Sequence, residues 1–197
     1  MYPLVESIKA KDGQFFLLDY HQDRMERTFQ AVYQRACPWS IKTMLPSIPL
    51  DGLYKVRLLY NATDYHFEVH PYQSKKIPRL KLVEIGEYRY PHKWTDRSFI
   101  NAAYAQREDC DDVLMLRKGL LTDSSYANIV LDSGEAWITP VIPLFEGVQR
   151  AFLLDNNIIQ TTTIHTVELA SFKGFQLINA MNPFDPKRFV SVKGIVK

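Results

Sequence analysis

Five histidines, two cysteines and eight glycines are the residues to question first for chemistry. His21, His66, His70, His92 and His165 are scattered, and no H-E-x-x-H pattern joins two of them. His66 and His70 are four apart, but they fall in YHFEVH, which reads as a strand. There the spacing puts both on one face and well apart along it, unlike a helical zinc pair. They read as ordinary strand histidines, and no metal site is expected. Cys37 and Cys110 allow one disulfide at most and form no C-x-x-C. Neither G-x-G-x-x-G nor G-x-x-x-x-G-K occurs. A Ser-His-Asp set can be picked from almost any chain and carries little weight.

The elements that must position any site are short and closely punctuated. VESIKAKDGQFFLL predicts two strands joined at Lys11-Asp12-Gly13. A helix follows, with Asp19 and Gln22 as a capping box, Met25, Phe29, Val32 and Ala36 at helical spacing, and Pro38 as its stop. LYKVRLLY (53–60) and YHFEVH (65–70) predict a second hairpin around Asn61-Ala62-Thr63-Asp64, and RLKLVE (79–84) a further strand. Residues 95–106 read as a helix; 112–116, 127–131 and 136–139 as strands; Gly147 to Leu154 as a short helix. NIIQTTTI and FQLINA add strands. Strands and helices mixed without strict alternation predict an α+β (mixed α/β) fold.

Composition sets outer bounds. Of 197 residues, 46% are hydrophobic and 23% charged, as in a globular protein with a real core. A net charge of only +2 argues against a nucleic-acid reader that works by bulk charge. The N-terminus lacks the apolar stretch of a signal peptide, and no apolar run approaches the roughly 18 residues of a membrane span. A cytoplasmic, soluble protein with no membrane or nucleic-acid partner is expected.

Four segments in order, DYHQDRMERTF (19–29), HKWTDRSFINAAYAQR (92–107), LLTDSSYANIVL (120–131) and PLFEGVQRAFLL (143–154), followed by FQLINAMNP (175–183), resemble the class IV aminotransferases. This family of fold-type-IV pyridoxal-phosphate enzymes includes branched-chain and D-amino-acid aminotransferases and aminodeoxychorismate lyase. The resemblance implies a two-lobed fold, here compact and short at its N-terminus. Residues 1–85 are expected as a smaller lobe, 86–93 as the connection and 94–197 as the larger lobe.

It also implies roles. Lys93, with Arg97 in the family's usual relative position, matches the lysine that forms the Schiff base with pyridoxal 5'-phosphate and then shuttles a proton at the substrate α-carbon. Asp123 falls where the family usually has Glu, pairing with the pyridine nitrogen; one methylene less shortens its reach. Arg24, in H-x-x-R with His21, matches the arginine that grips the phosphate. Gly147-Val148-Gln149-Arg150 resembles Gly-Ile-Thr-Arg, which puts the Val148 and Gln149 N–H groups at a helix start facing the phosphate. Asn179 and Ala180 match a last segment near it. Asn128 is expected to bond the backbone of a tight turn. Tyr54 and Arg57 are candidates for the substrate carboxylate, on opposite faces of one strand.

The first functional expectation is amino transfer between an amino acid and a 2-oxo acid by a homodimer. The alternative is a lyase like aminodeoxychorismate lyase, releasing pyruvate from an amino-substituted cyclic substrate. A non-catalytic descendant that binds a phosphate-bearing ligand ranks third.

Overall fold

Leu4, Glu6, Ile8 and Ala10 alternate with Val5, Ser7 and Lys9, and in the computed structural model, which describes Met1–Lys197, these four share one wholly buried strand face. That strand, β1 (Leu4–Lys11), turns through Asp12 and Gly13, both at positive φ, into the two-residue β2 (Gln14–Phe15). Helix α1 (Leu18–Thr28) follows and passes into a π-helical turn at Phe29–Tyr33. No capping box forms: Leu17 is the N-cap, Asp19 pairs with Lys42, and Gln22 bonds the Trp39 carbonyl. The helical run ends at Gln34, in the left-handed region, before Pro38 is reached, so Ala36 lies outside it.

The short α2 (Ile41–Met44) precedes β3 (Leu53–Tyr60) and β4 (Tyr65–Pro71). The sheet runs β2-β1-β3-β4, antiparallel throughout. Met25 and Phe29 of the helical run pack with Leu4, Ile8, Val56, Leu58 and Tyr60 of the sheet to form this unit's core. The unit comprises Met1–Ser74 together with His92–Asp96. The latter segment lies along β1: the Val5 N–H donates to the Lys93 carbonyl (3.0 Å), the Thr95 N–H to that of Pro3 (2.7 Å), and Trp94 bridges Leu4.

The second unit comprises Lys75–Pro91 and Arg97–Lys197. Its first strand, β5 (Leu80–Glu84), falls within the stretch expected as the smaller lobe, yet it pairs in parallel with β6 (Asp112–Arg117) after α3 (Ser98–Ala105). A Lys118-Gly119 turn at positive φ leads to β7 (Leu120–Ser124), then β8 (Asn128–Asp132) and β9 (Trp137–Pro140). Helix α4 (Val148–Asp155), β10 (Gln160–Thr162), β11 (Gly174–Ile178), β12 (Val190–Ser191) and β13 (Ile195–Val196) complete it. The sheet order is β10-β9-β8-β7-β6-β5-β13, with β11 joined to β8 and β12. Leu114, Leu121, Ile129, Leu131 and Phe175 centre its core. The architecture is mixed α and β, as the sequence predicts. No helix is long and apolar enough to cross a membrane.

Candidate active site

In the first unit the buried face of α1 carries His21, Arg24, Met25 and Thr28, at the i, i+3, i+4, i+7 spacing of a helix seam. Met25 meets apolar side chains. His21 and Arg24 meet Glu6, the one carboxylate on the core face of β1. Arg24 Nε donates to Glu6 Oε1 (3.0 Å) and Arg24 Nη2 to Oε2, a two-pronged charge-assisted pair. His21 Nδ1 lies 2.6 Å from Glu6 Oε2. All three residues are buried.

Burial pushes the Glu6 pKa up, but the Arg24 charge and the His21 hydrogen bond outweigh it and bring it to about 2. An ionised Glu6 only accepts, so the His21 hydrogen sits on Nδ1. Burial drives the His21 pKa down, with Arg24 and Lys93 acting in the same sense against the pull of Glu6. Its Nε2 is wholly buried and without a partner. The Lys93 charge thus reaches His21, and its backbone is pinned beside Glu6 by the bond from Val5.

In the second unit Asp123, near the end of β7, is paired across the sheet with Asn128, the first residue of β8. Asp123 Oδ1 accepts from Asn128 Nδ2 (2.7 Å) and Oδ2 from the Phe145 N–H (2.8 Å). Burial raises the Asp123 pKa to about 6, although these bonds and the Arg150 charge pull the other way. Arg150 is itself buried. Its Nη2 donates to the Pro140 carbonyl (2.9 Å), and its Nε has no partner.

Gly147 is the N-cap of α4 and supplies no side chain to the helix start, while Val148, Gln149 and Arg150 are buried. A buried helix tip whose first N–H groups lack a capping side chain favours an anion there. Asn179 follows β11; its Oδ1 accepts from the Met181 and Asn182 N–H groups (both 2.9 Å), with Ala180 inside that turn, and its Nδ2 donates to the Tyr126 carbonyl (3.4 Å).

Lys93 and Arg24 therefore belong to the first unit, and Asp123, Val148, Gln149, Asn179 and Ala180 to the second. Arg24 spends two of its nitrogens on Glu6. Arg97 donates to the Ser125 carbonyl at the β7–β8 turn. Asn128 bonds the Asp123 carboxylate and the Phe145 carbonyl rather than a tight turn. Arg57 is bound to Glu68, its partner across the sheet (2.5 Å), and Tyr54 packs against the first unit's core. Glu6 is the functional candidate that motif reading missed. Alternation alone could have found it, since it stands in register with Leu4, Ile8 and Ala10.

Residues 3–186 match the sequence profile of the family described as Amino-transferase class IV. The chain is 34% identical to a candidate 4-amino-4-deoxychorismate lyase from Haemophilus somnus, whose crystal structure superposes with a TM-score of 0.89 over 93% of this chain and 98% of that one. A Haemophilus influenzae protein of unassigned function is 33% identical over 186 residues, 92% of this chain and 99% of the relative. The fold also matches a pyridoxal-phosphate-bound aminotransferase from Mycobacterium tuberculosis at a TM-score of 0.79 and 13% identity, over 98% of this chain and 80% of that one.

Pyridoxal 5'-phosphate is the cofactor of this family, and each unit carries groups of the chemistry it takes. The uncapped, buried start of α4 suits a phosphate. Asp123 is a buried carboxylate, a group that can face a ring N–H, and Lys93 carries a primary amine, a group that can condense with an aldehyde. The partnerless His21 Nε2 and Arg150 Nε are buried polar atoms of the kind a bound polar group satisfies.

Proposed function

The chain belongs to the class IV aminotransferases, pyridoxal-phosphate-dependent enzymes, and from that premise we propose that it is a lyase that releases pyruvate from an amino-substituted cyclic acid, leaving an aromatic amine. The observation that carries this reading is the 34% identity to the Haemophilus somnus protein over 98% of that chain. Amino transfer, ranked first on motifs alone, shares the same cofactor and the same proton abstraction; the two reactions part only in what becomes of the electrons released.

The cofactor, when bound, supplies an electrophilic aldehyde and a ring that withdraws electrons. Lys93 would hold the aldehyde end, and its amine, when free, would take the proton from the amine-bearing carbon of the substrate. Asp123, ionised, would stabilise a protonated ring nitrogen. The bond to the ether oxygen breaks as the substrate ring becomes aromatic, pyruvate departs as its enolate, and Lys93 returns the proton. The Val148 and Gln149 N–H groups would hold the phosphate, with Asn179 and Ala180 beside it, and the family resemblance assigns Arg24 to the same anion. Glu6 keeps the Arg24 fork in place. A homodimer is the expected assembly.

The test supplies purified enzyme with 4-amino-4-deoxychorismate and no 2-oxo acid. The reading predicts many turnovers, each releasing one pyruvate and one aromatic amine. Activity that stalls after one equivalent and resumes on adding a 2-oxo acid would make the protein a transaminase instead. Neither product, with cofactor bound, would leave only a binding role.

A further inference from the structure

We propose that Asn128 is a positioning residue, whose side chain holds the Asp123 carboxylate and the Gly147 tip of α4 in one rigid frame. The proposal rests on the reading of Asp123 as the ring-nitrogen partner for its consequence, though not for its geometry.

An amide nitrogen has two hydrogens, and both are committed here. Asn128 Nδ2 donates to Asp123 Oδ1 and to the Phe145 carbonyl, each at 2.7 Å. The Phe145 N–H returns to Asp123 Oδ2 (2.8 Å), which closes a ring of three residues. With its NH2 group so fixed, the amide cannot flip, and Oδ1 has only one direction left. That direction is the α-carbon of Gly147: a Cβ built there would lie 2.2 Å from Asn128 Oδ1. Gly147 has an ordinary extended backbone, φ −73° and ψ 143°, so its lack of a side chain answers to this contact and not to backbone strain.

One amide thus spans the place of the carboxylate and the place of the anion-binding helix start. Asn128 is 4% exposed, so water cannot take over its bonds. Its backbone adds a third tie, since Asn128 pairs with Ile178, the residue before Asn179. Other groups facing Asp123 are the Leu144 and Phe145 N–H groups and the Arg150 guanidinium, which in turn feels Glu146. Arg150 also acts on Asp123 from α4, but it is the Asn128 side chain that hydrogen-bonds the carboxylate and abuts the Gly147 α-carbon.

The test follows the carbon-13 signal of the Asp123 carboxyl against pH in the full-length holoenzyme, with cofactor-free protein in parallel. Asn128→Ala removes one bond to the carboxylate. Gly147→Ala leaves Asn128 and Asp123 chemically intact but drives the amide off its seat. The frame predicts that each variant, folded by circular dichroism, titrates higher than wild type by about one unit, the equivalent of a tenfold change in ionisation. A merely local packing role for Gly147 would not move Asp123. A midpoint within ~0.3 unit of wild type in Asn128→Ala overturns the proposal; if that variant does not fold, the same result in Gly147→Ala overturns it. A wild-type midpoint that is identical with and without cofactor would sink the ring-nitrogen reading of Asp123 and leave the frame intact.

Discussion

Glu6 and Arg24 stand on different elements, eighteen residues apart, and meet through two hydrogen bonds in the core of the first unit. A carboxylate on a face otherwise made of Leu4, Ile8 and Ala10 is stable there only because a cation and His21 complete its bonds.

The first prediction concerns that pair. Glu6→Gln leaves the Arg24 charge buried without its counter-charge. Removing one partner of a buried ion pair costs about 3–5 kcal/mol. Urea unfolding of the variant checks this; a loss under about 1 kcal/mol would show that the pair contributes little.

Acid supplies the second. The folded Glu6 pKa of about 2 lies below its ordinary value of 4.5. A depressed carboxylate favours the folded state fully above the unfolded value, and that contribution fades as pH falls from about 4.5 towards about 2. Unfolding free energy measured across this window is expected to drop more steeply for wild type than for Glu6→Gln. Parallel curves would remove Glu6 as the source.

Much of this arrangement is legible in the residues, and the gaps have physical causes. The Asp12-Gly13 turn and the 53–60 and 65–70 strands announce themselves by local chemistry, and each appears where expected. The H-x-x-R spacing likewise puts His21 and Arg24 on one helix face. What local pattern cannot carry is partnership at a distance. LLTDS is a strand because β6 and β8 flank it, despite its polar end, and the two residues of β13 are a strand only because β5 lies alongside. Asp19 looks like a cap in sequence, yet Leu17 takes that place and Lys42 takes its charge. Glu6 is hidden from local reading because a charged residue in a strand ordinarily faces solvent.

The third prediction tests the helix tip. Val148→Pro removes one N–H at the first position of α4, where proline suits a helix, and the preceding Gly147 already has the extended conformation proline demands. Cofactor affinity should fall about tenfold or more, equivalent to about 1.4 kcal/mol, with thermal stability little changed. Fluorescence titration with pyridoxal phosphate gives the Kd; an unchanged value would take the phosphate away from this helix.

Asp123→Asn is the fourth. The amide keeps the size of the side chain and loses its charge. Cofactor is expected to remain bound while kcat falls roughly 10²–10³-fold, the cost of losing one well-placed electrostatic contact. Steady-state kinetics and the visible spectrum decide it, and wild-type turnover would show that Asp123 serves another purpose.

Every chemical step proposed above begins with pyridoxal phosphate held on the Lys93 amine. Borohydride reduction of the protein incubated with the cofactor, followed by peptide mapping in a mass spectrometer, addresses it directly. A single pyridoxyl adduct on Lys93 is expected, absent from Lys93→Ala, which should also lose the yellow colour. An adduct on a different lysine, or unaltered colour and labelling in Lys93→Ala, would contradict it.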